Sequence, residues 1–170
     1  MARIEWDLRG LKGLRRTLNS GNDPDYKQML QAVGTVYLQY LHRRYLAASR
    51  SPGNPWKDIA PATKRRRRKG KGLGTPSILV DTGMLRMGLT PGAPGNLLKV
   101  MSKKVRCGYA NTSHSKGMTF AKLADIHHFG KGHNPPRTIF VEPDDATARR
   151  MKSAIATGIQ RIGAKQHGSR

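Results

Sequence analysis

Apolar side chains recur at three- and four-residue spacing in two long parts of the chain, and this spacing predicts two long helices. The first begins at Asp23-Pro24, an N-cap residue followed by proline at the first helical position, and runs to about Ala48. The second follows Pro143-Asp144-Asp145, because acidic residues favour a helix N-terminus. The apolar stripes of the two helices consist of Met29, Val33, Val36, Tyr37, Tyr40 and Leu41, and of Met151, Ile155, Ile159 and Ile162.

Shorter apolar runs predict a small sheet beside these helices. Leu97–Met101 and Lys104–Tyr109 are expected to form an antiparallel hairpin, and Ile139–Val141 a short buried strand. Thr119 is the expected N-cap of a further helix that ends at Gly130. Together these patterns predict an α+β fold, in which a small antiparallel β-sheet packs with two long α-helices and long basic loops join the elements.

The length of 170 residues predicts a single domain. Residues 1–22 are expected to form an N-terminal arm with a short strand at Arg3–Leu8 and a basic helix that carries Arg15 and Arg16. The polar stretch Asn111–Gly117 is expected to be a mobile loop, and Gly163–Arg170 a disordered tail.

The centre of the chain is Ser77–Leu89, where the apolar run Ile78-Leu79-Val80 meets Asp81-Thr82-Gly83 and a second apolar series follows. Asp and Thr side chains cap free backbone N–H groups, so this stretch predicts a buried segment that turns into a new element. Asp-Thr-Gly is also the tripeptide of retroviral-type aspartic proteases, which pair two carboxylates in a dimer. The helical patterns disagree with that nearly all-β fold, and we therefore predict no catalytic residue.

The formal charge of +22 is far from neutral and predicts an attraction to polyanions. Seven positive charges fall within Lys64–Gly72, and because adjacent like charges repel, we expect all of them to be exposed. With two cations of the first long helix they are the candidate contacts to DNA or to acidic protein: Lys64, Arg65, Arg66, Arg67, Arg68, Lys69, Lys71, Arg43 and Arg44.

Other residue types predict structural roles. His127 and His128 would point about 100° apart on a helix, so we predict no metal site and expect His127 to be inward and hydrogen-bonded. The single cysteine, Cys107, is expected to be a small strand hydrophobe, and Trp56 to anchor the loop before it to the core. No apolar run approaches the roughly 18 residues of a membrane span, and the polar start predicts no secretory signal.

Four groups of residues occur in an order that resembles one known family. They are Pro55-Trp56 with Pro61-Ala62-Thr63 before the basic run, Ile78–Leu85, Leu123–Gly130, and Pro135–Val141 before the acid-started helix. This arrangement resembles the phage virion morphogenesis family of Mu-like tailed phages, which are tail-completion or neck proteins. The family pattern is P-W-x-x-L-x-P-x-T, L-x-x-T-G-x-L, Y-A-x-x-H-Q-x-G and P-x-R-P-F.

The resemblance implies a non-enzymatic virion protein at the junction of head and tail, assembled in the host cytoplasm and lacking a cofactor. It implies a homo-oligomeric ring of six subunits around the DNA channel, with genomic DNA in the lumen. Its neighbours would be connector or stopper proteins and tail terminator or tail tube proteins. The motif residues of this chain, all with expected structural roles, are Trp56, Asp81, Thr82, Gly83, His127, Gly130, Arg137 and Phe140.

The chain departs from the family pattern at three places, one of which is the unusually basic run Arg65–Lys69. An inserted stretch, Asn111–Lys122, follows Tyr109-Ala110, and Thr138-Ile139 precedes Phe140 where the family has proline. Charge alone leaves an alternative open, a sequence-independent nucleic-acid-binding protein, although no helix-turn-helix, zinc module or aromatic strand motif is recognisable.

Overall fold

A computed structural model describes residues 3–7, 24–50, 56–68, 77–101, 104–115 and 117–167 of the chain. In this part the order of elements is β1 (Arg3–Asp7), α1 (Pro24–Arg50), α2 (Pro61–Arg68), α3 (Met84–Met87), β2 (Asn96–Val100), β3 (Lys104–Tyr109), β4 (Ser113–Ser115), β5 (Met118–Thr119), α4 (Phe120–Phe129) and α5 (Asp145–His167). The predicted α+β fold and its two long helices, α1 and α5, are confirmed.

The strands form two small sheets. One has the order β1-β3-β2, and because the link between β2 and β3 is too short for a parallel crossover, these two strands form the predicted hairpin. The other pairs β4 with β5 antiparallel, Ser113 opposite Thr119. The expected loop at Asn111–Gly117 is therefore wrong, because a polar stretch without apolar alternation can still pair its backbone with the next strand.

Two further expectations are corrected. Ile139–Val141 is not a strand, because the backbone N–H groups of Ile139 and Phe140 are bound by a histidine side chain instead of a neighbouring strand. The expected disorder from Gly163 onward is also wrong as far as His167, where α5 ends. Buried Ile162 anchors the last turns of this helix, and Asp144 Oδ1 caps its start by accepting a hydrogen bond from Thr147 N at 2.8 Å.

Contacts divide the chain into two compact units. The first covers the described residues of Met1–Arg3, Leu38–Leu97 and Gly108–Val141, and the second those of Ile4–Tyr37, Leu98–Cys107 and Glu142–Arg170. Each unit contains its own buried apolar residues.

The second unit packs the first half of α1 tightly against strands. A Cβ on Gly34 would lie 2.5 Å from Leu98 Cδ1 and 2.9 Å from Cys107 Sγ, so the helix approaches closely because this position has no side chain. Cys107 is fully buried, and burial raises the pKa of its thiol to about 12. The thiol therefore behaves as the small strand hydrophobe that the sequence predicts.

The first unit holds the central stretch and the described residues of all four motif groups. Its buried side chains include those of Tyr45, Trp56, Ile78, Leu89 and Phe120. Elements far apart in sequence supply this core, since Tyr45 belongs to α1 and Phe120 begins α4.

Candidate functional site

The central stretch is a buried turn held by the end of α1. Ile78 and Val80 are buried, whereas Leu79 between them has a left-handed backbone, with φ of 54°. Ser49 O accepts a hydrogen bond from Ile78 N at 3.0 Å, and Leu79 O accepts one from Tyr45 Oη at 2.7 Å. A left-handed leucine costs roughly 1–2 kcal/mol, so these bonds hold a strained backbone in place.

The hydroxyl of Tyr45 provides a test of this arrangement. Replacing Tyr45 with phenylalanine is expected to lower the free energy of unfolding by about 1–2 kcal/mol, because the Leu79 carbonyl loses its donor. Tyr109 is the matched control, since its Oη is buried but makes no hydrogen bond with any described residue. Tyr109→Phe is expected to leave stability unchanged or slightly higher in the same denaturant titration. A larger loss for Tyr109→Phe than for Tyr45→Phe would contradict the assignment.

After the buried turn, the chain enters α3 through Gly83, whose φ is 77°. Thr82 Oγ1 lies 3.5 Å from Met84 N, at the limit of a hydrogen bond. The expected capping by Asp81 is wrong: its carboxylate is 52% exposed, and Oδ1 lies 3.5 Å from Arg67 Nε. Asp81 therefore faces a cation of the basic run.

Trp56 joins two distant segments of the first unit. It is 3% exposed, and its ring meets that of Tyr45 edge-on with centroids 5.1 Å apart. Its Nε1 donates a hydrogen bond to Thr138 O at 3.3 Å. Trp56 is thus buried in the core, and it fixes the segment that carries Arg137. Most of the loop that it is predicted to anchor lies outside the described residues.

The basic run is the helix α2, and one of its arginines points inward. Arg67 is only 7% exposed, and its Nη1 donates a hydrogen bond to Ser77 O. The expectation that every cation of the run is exposed is therefore wrong. A helix must turn one face toward the protein, and here the inward face includes Arg67 together with half-buried Lys64, which forms an ion pair with Asp58.

The other predicted basic contacts are outward or lie outside the described part. Arg65 and Arg66 are exposed on α2, and Arg43 and Arg44 are exposed on α1. Arg44 also lies over the ring of Tyr40, 5.9 Å from its centroid. The side chain of Arg68, and Lys69 and Lys71 entirely, are outside the described residues.

Arg137 is the second inward arginine of this unit. It is 5% exposed, its Nη2 donates a hydrogen bond to Lys57 O at 3.3 Å, and its backbone N donates to His127 O at 2.7 Å. Burial lowers the pKa of its guanidinium, and the charge of Arg67 lowers it further. A guanidinium nevertheless remains charged in proteins, so two cations are buried close together.

The two histidines of α4 have different roles. His128 Nδ1 accepts hydrogen bonds from Ile139 N at 3.1 Å and Phe140 N at 3.3 Å, and so fixes the segment after Arg137. The expected hydrogen bond of His127 is not seen at Nδ1, which is buried without a partner among the described residues. Burial and the charge of Arg137 lower the pKa of His127 to about 4, so the ring is neutral at pH 7.

Caps at both ends hold α4, and therefore these histidines, in position. Thr119 Oγ1 accepts a hydrogen bond from Lys122 N at 3.2 Å, as predicted for an N-cap. Gly130 ends the helix with φ of 68°, and its N–H donates to Ile126 O. Pro136 packs so closely that a Cβ on Gly130 would lie 2.7 Å from Pro136 N, so the turn toward Arg137 needs glycine here.

These side chains surround two adjoining clefts of about 740 and 540 Å³ that share Arg67, Leu79 and His127. We call the pair the arginine cleft. Each of the two volumes lies in the range of about 300–1,000 Å³ that is usual for ligand pockets. Four cations and two carboxylates line it: Lys57, Arg66, Arg67, Arg137, Asp58 and Asp81.

The cationic side chains that line the arginine cleft are of a kind that can bind anions. Among the described residues, no group of three or more His, Cys, Asp or Glu side chains is placed to hold a metal ion. Asp81, the acid of the protease hypothesis, faces Arg67 within the chain. Guanidinium groups attract oxyanions and donate paired hydrogen bonds to them.

The motif residues Asp81, Thr82, Gly83, His127 and Arg137 all line this cleft, whereas Trp56 and Phe140 are buried in the same unit. Sequence reasoning missed Tyr45 and Leu79 as parts of the site. The spacing of Tyr45 within the stripe of α1 predicts a core residue, but nothing in the sequence indicates which carbonyl its hydroxyl binds.

None of the described helices combines the length and the hydropathy required to cross a lipid bilayer. The chain matches no protein-family model, no curated protein and no solved structure.

Proposed function

We propose that the chain is a structural protein of the phage neck, a tail-completion protein that forms a ring around the DNA channel and joins the head to the tail. The observation that carries this proposal is the meeting of the four motif groups in one unit. Trp56 binds Thr138 O, Arg67 faces Asp81, and Arg137 N binds His127 O. Motifs that serve mainly to hold one another in place suit a structural protein better than an enzyme.

The charge of the chain also supports this place in the particle. A net charge of +22 attracts the phosphates of packaged DNA without reading its sequence. A closed ring needs two different surfaces on each subunit that meet by rotation. The exposed cations Arg65, Arg66, Arg43 and Arg44 are the candidates for contact with DNA or acidic neighbours.

Particles made without this protein provide the test. We expect filled heads and complete tails that accumulate separately, because the joint between them is missing, and electron microscopy of the lysate would show both. Supplying the protein from a plasmid is the control and should restore joined particles. Normal joining without it, or virions that contain no copies of it, would refute the proposal.

The alternative is a sequence-independent nucleic-acid-binding protein that acts outside the particle. The observation that favours it is the same charge, with exposed arginines on both α1 and α2. Salt-sensitive binding of DNA fits both functions, since either needs phosphate contacts. Location separates them, because only the neck protein is a stoichiometric component of the virion.

A further inference from the structure

The arginine cleft contains hydrogen-bonding groups that no described residue satisfies. Arg67 and Arg137 are each more than nine-tenths buried, and the Nε atoms of both are enclosed without a hydrogen-bond partner. His127 Nδ1 is enclosed and unpaired in the same way. Buried polar atoms are nearly always hydrogen-bonded in folded proteins, so these three atoms around one cleft would be stabilised by a ligand that supplies partners.

The bonds that these arginines do make leave part of each guanidinium available. Arg67 donates to Ser77 O through Nη1, and Arg137 donates to Lys57 O through Nη2. Both acceptors are backbone carbonyls, which fix the orientation of the guanidinium but do not neutralise its charge. The nearest carboxylate oxygen to Arg67 Nε, on Asp81, is 3.5 Å away, which is ion-pair distance without hydrogen-bond geometry.

The cleft also has more cationic side chains than carboxylates. Its two carboxylates face four cationic side chains, and one of them, Asp58, is already paired with Lys64. His127 adds no charge at pH 7, because its pKa is about 4. Buried charges are usually paired, so the cleft as it stands lacks negative charge.

The depth of the arginines limits the form of the anion. Phosphates of a DNA duplex lie on a broad convex surface, whereas groups that are more than nine-tenths buried are reached best by an anion on a narrow stem. Leu79, Met84 and Leu123 also line the cleft and offer apolar contact to such a stem. A carboxylate matches the planar donor pair of a guanidinium, and an aspartate or glutamate side chain supplies both the stem and the carboxylate.

We propose that the arginine cleft is a receptor for an aspartate or glutamate side chain presented by an acidic segment of a protein partner. The carboxylate binds between Arg67 and Arg137, and His127 lies beside it. This inference rests on the proposed function only for the identity of the partner, which would be a neighbouring virion protein. Binding of the carboxylate is a property of the purified chain and is measured without particles.

The test uses the full chain and two capped peptides, acetyl-Gly-Gly-Glu-Gly-Gly-amide and the same peptide with Gln in place of Glu. Nuclear magnetic resonance follows the side-chain Nε–H signals of Arg67 and Arg137 during titration at low salt. We expect saturable shifts with the Glu peptide and none with the Gln peptide. Equal responses to the two peptides would overturn the proposal.

Variants locate the binding. Arg137→Gln is expected to weaken binding of the Glu peptide at least about tenfold, because a buried charged hydrogen-bond donor is lost. Arg65→Gln is the matched control: it removes the same charge from an exposed site that does not line the cleft, and its affinity should stay within about twofold. Equal weakening by both variants would show non-specific attraction and overturn the proposal.

A third variant, Asp81→Asn, tests the proposal even if Arg137→Gln fails to fold. Asp81 is half-exposed and is the internal carboxylate nearest to Arg67, so Asp81→Asn should preserve the fold and remove a competitor. We expect Asp81→Asn to bind the Glu peptide about threefold more tightly. Unchanged or weaker binding would overturn the proposal.

Two further titrations test other anions. If inorganic phosphate shifts the arginine signals and the Glu peptide does not, the ligand of the cleft is a phosphate and not a carboxylate. This result would overturn the proposal. A short DNA duplex whose binding is lost in Arg137→Gln but kept in Arg65→Gln would overturn it in favour of nucleic acid. Peptide binding by a chain that is absent from virions would refute the neck function alone.

Discussion

Replacing Trp56 with alanine is expected to lower the free energy of unfolding by about 3–5 kcal/mol, the usual cost of truncating a buried aromatic side chain. Trp56 is 3% exposed and packs edge-on against Tyr45. The substitution removes that contact and also leaves Thr138 O without its donor. Both losses fall beside the arginine cleft, so binding of anions there should weaken together with stability.

Denaturant titration followed by circular dichroism measures this loss. Met87→Ala is the control, because Met87 is a large apolar residue of the same unit that is 47% exposed. Its truncation should change the free energy of unfolding by less than about 0.5 kcal/mol. A Trp56→Ala variant as stable as Met87→Ala would show that Trp56 is not an anchor of this core.

Gly95→Ala is expected to be the second severe substitution, with a loss of about 2–5 kcal/mol in the free energy of unfolding. Gly95 has φ of 79°, and a Cβ there would lie 2.4 Å from Cδ1 of Phe120. A left-handed alanine costs roughly 1–2 kcal/mol, and displacing a fully buried ring typically adds about 1–3 kcal/mol. The ring cannot move freely, because Phe120 is 1% exposed and also meets His114 edge-on.

Gly92 separates these two contributions. It has the same φ of 79°, but a Cβ on it would meet nothing within 4 Å. Gly92→Ala should therefore show the backbone cost alone, about 1–2 kcal/mol, in the same denaturant titration. Equal losses for the two variants would mean that Phe120 makes way for the added methyl group and that the contact is not restrictive.

Much of the fold was predictable from the sequence because its elements carry regular signals. The stripes of α1 and α5 repeat with the helical period, and Pro24 and Thr119 mark helix starts by well-understood capping chemistry. The β2–β3 hairpin follows from two apolar runs separated by a short polar link. These features depend on local sequence, so one chain suffices to find them.

The inward arginine of the basic run was not predictable in the same way. Hydropathy assigns a face to a helix only where apolar and polar residues alternate, and Lys64–Arg68 contains cations alone. The position of Arg67 depends instead on Ser77 O and Asp81, which lie ten and fourteen residues later in the chain. The sequence of a run of like charges therefore does not indicate which of its residues is buried.

Hydrogen bonds from backbone N–H groups to side chains account for another difference between the predicted and the observed fold. Ile139 and Phe140 carry the apolar signal of a strand, yet their N–H groups bind His128 Nδ1. A histidine as the acceptor for two successive backbone groups depends on how α4 is oriented, and no local pattern reveals that. The sequence thus located the motif residues but did not indicate that five of them line one cleft.

The burial of Cys107 has a practical consequence for labelling. Only thiolate reacts readily with alkylating reagents, and a thiol with a pKa of about 12 that is fully enclosed supplies almost none at neutral pH. A cysteine introduced at an exposed position such as Arg65 or Arg43 would then supply the one reactive thiol of the folded chain. Fluorophores or cross-linkers attached there would report neighbours within an assembly without first removing the natural sulfur.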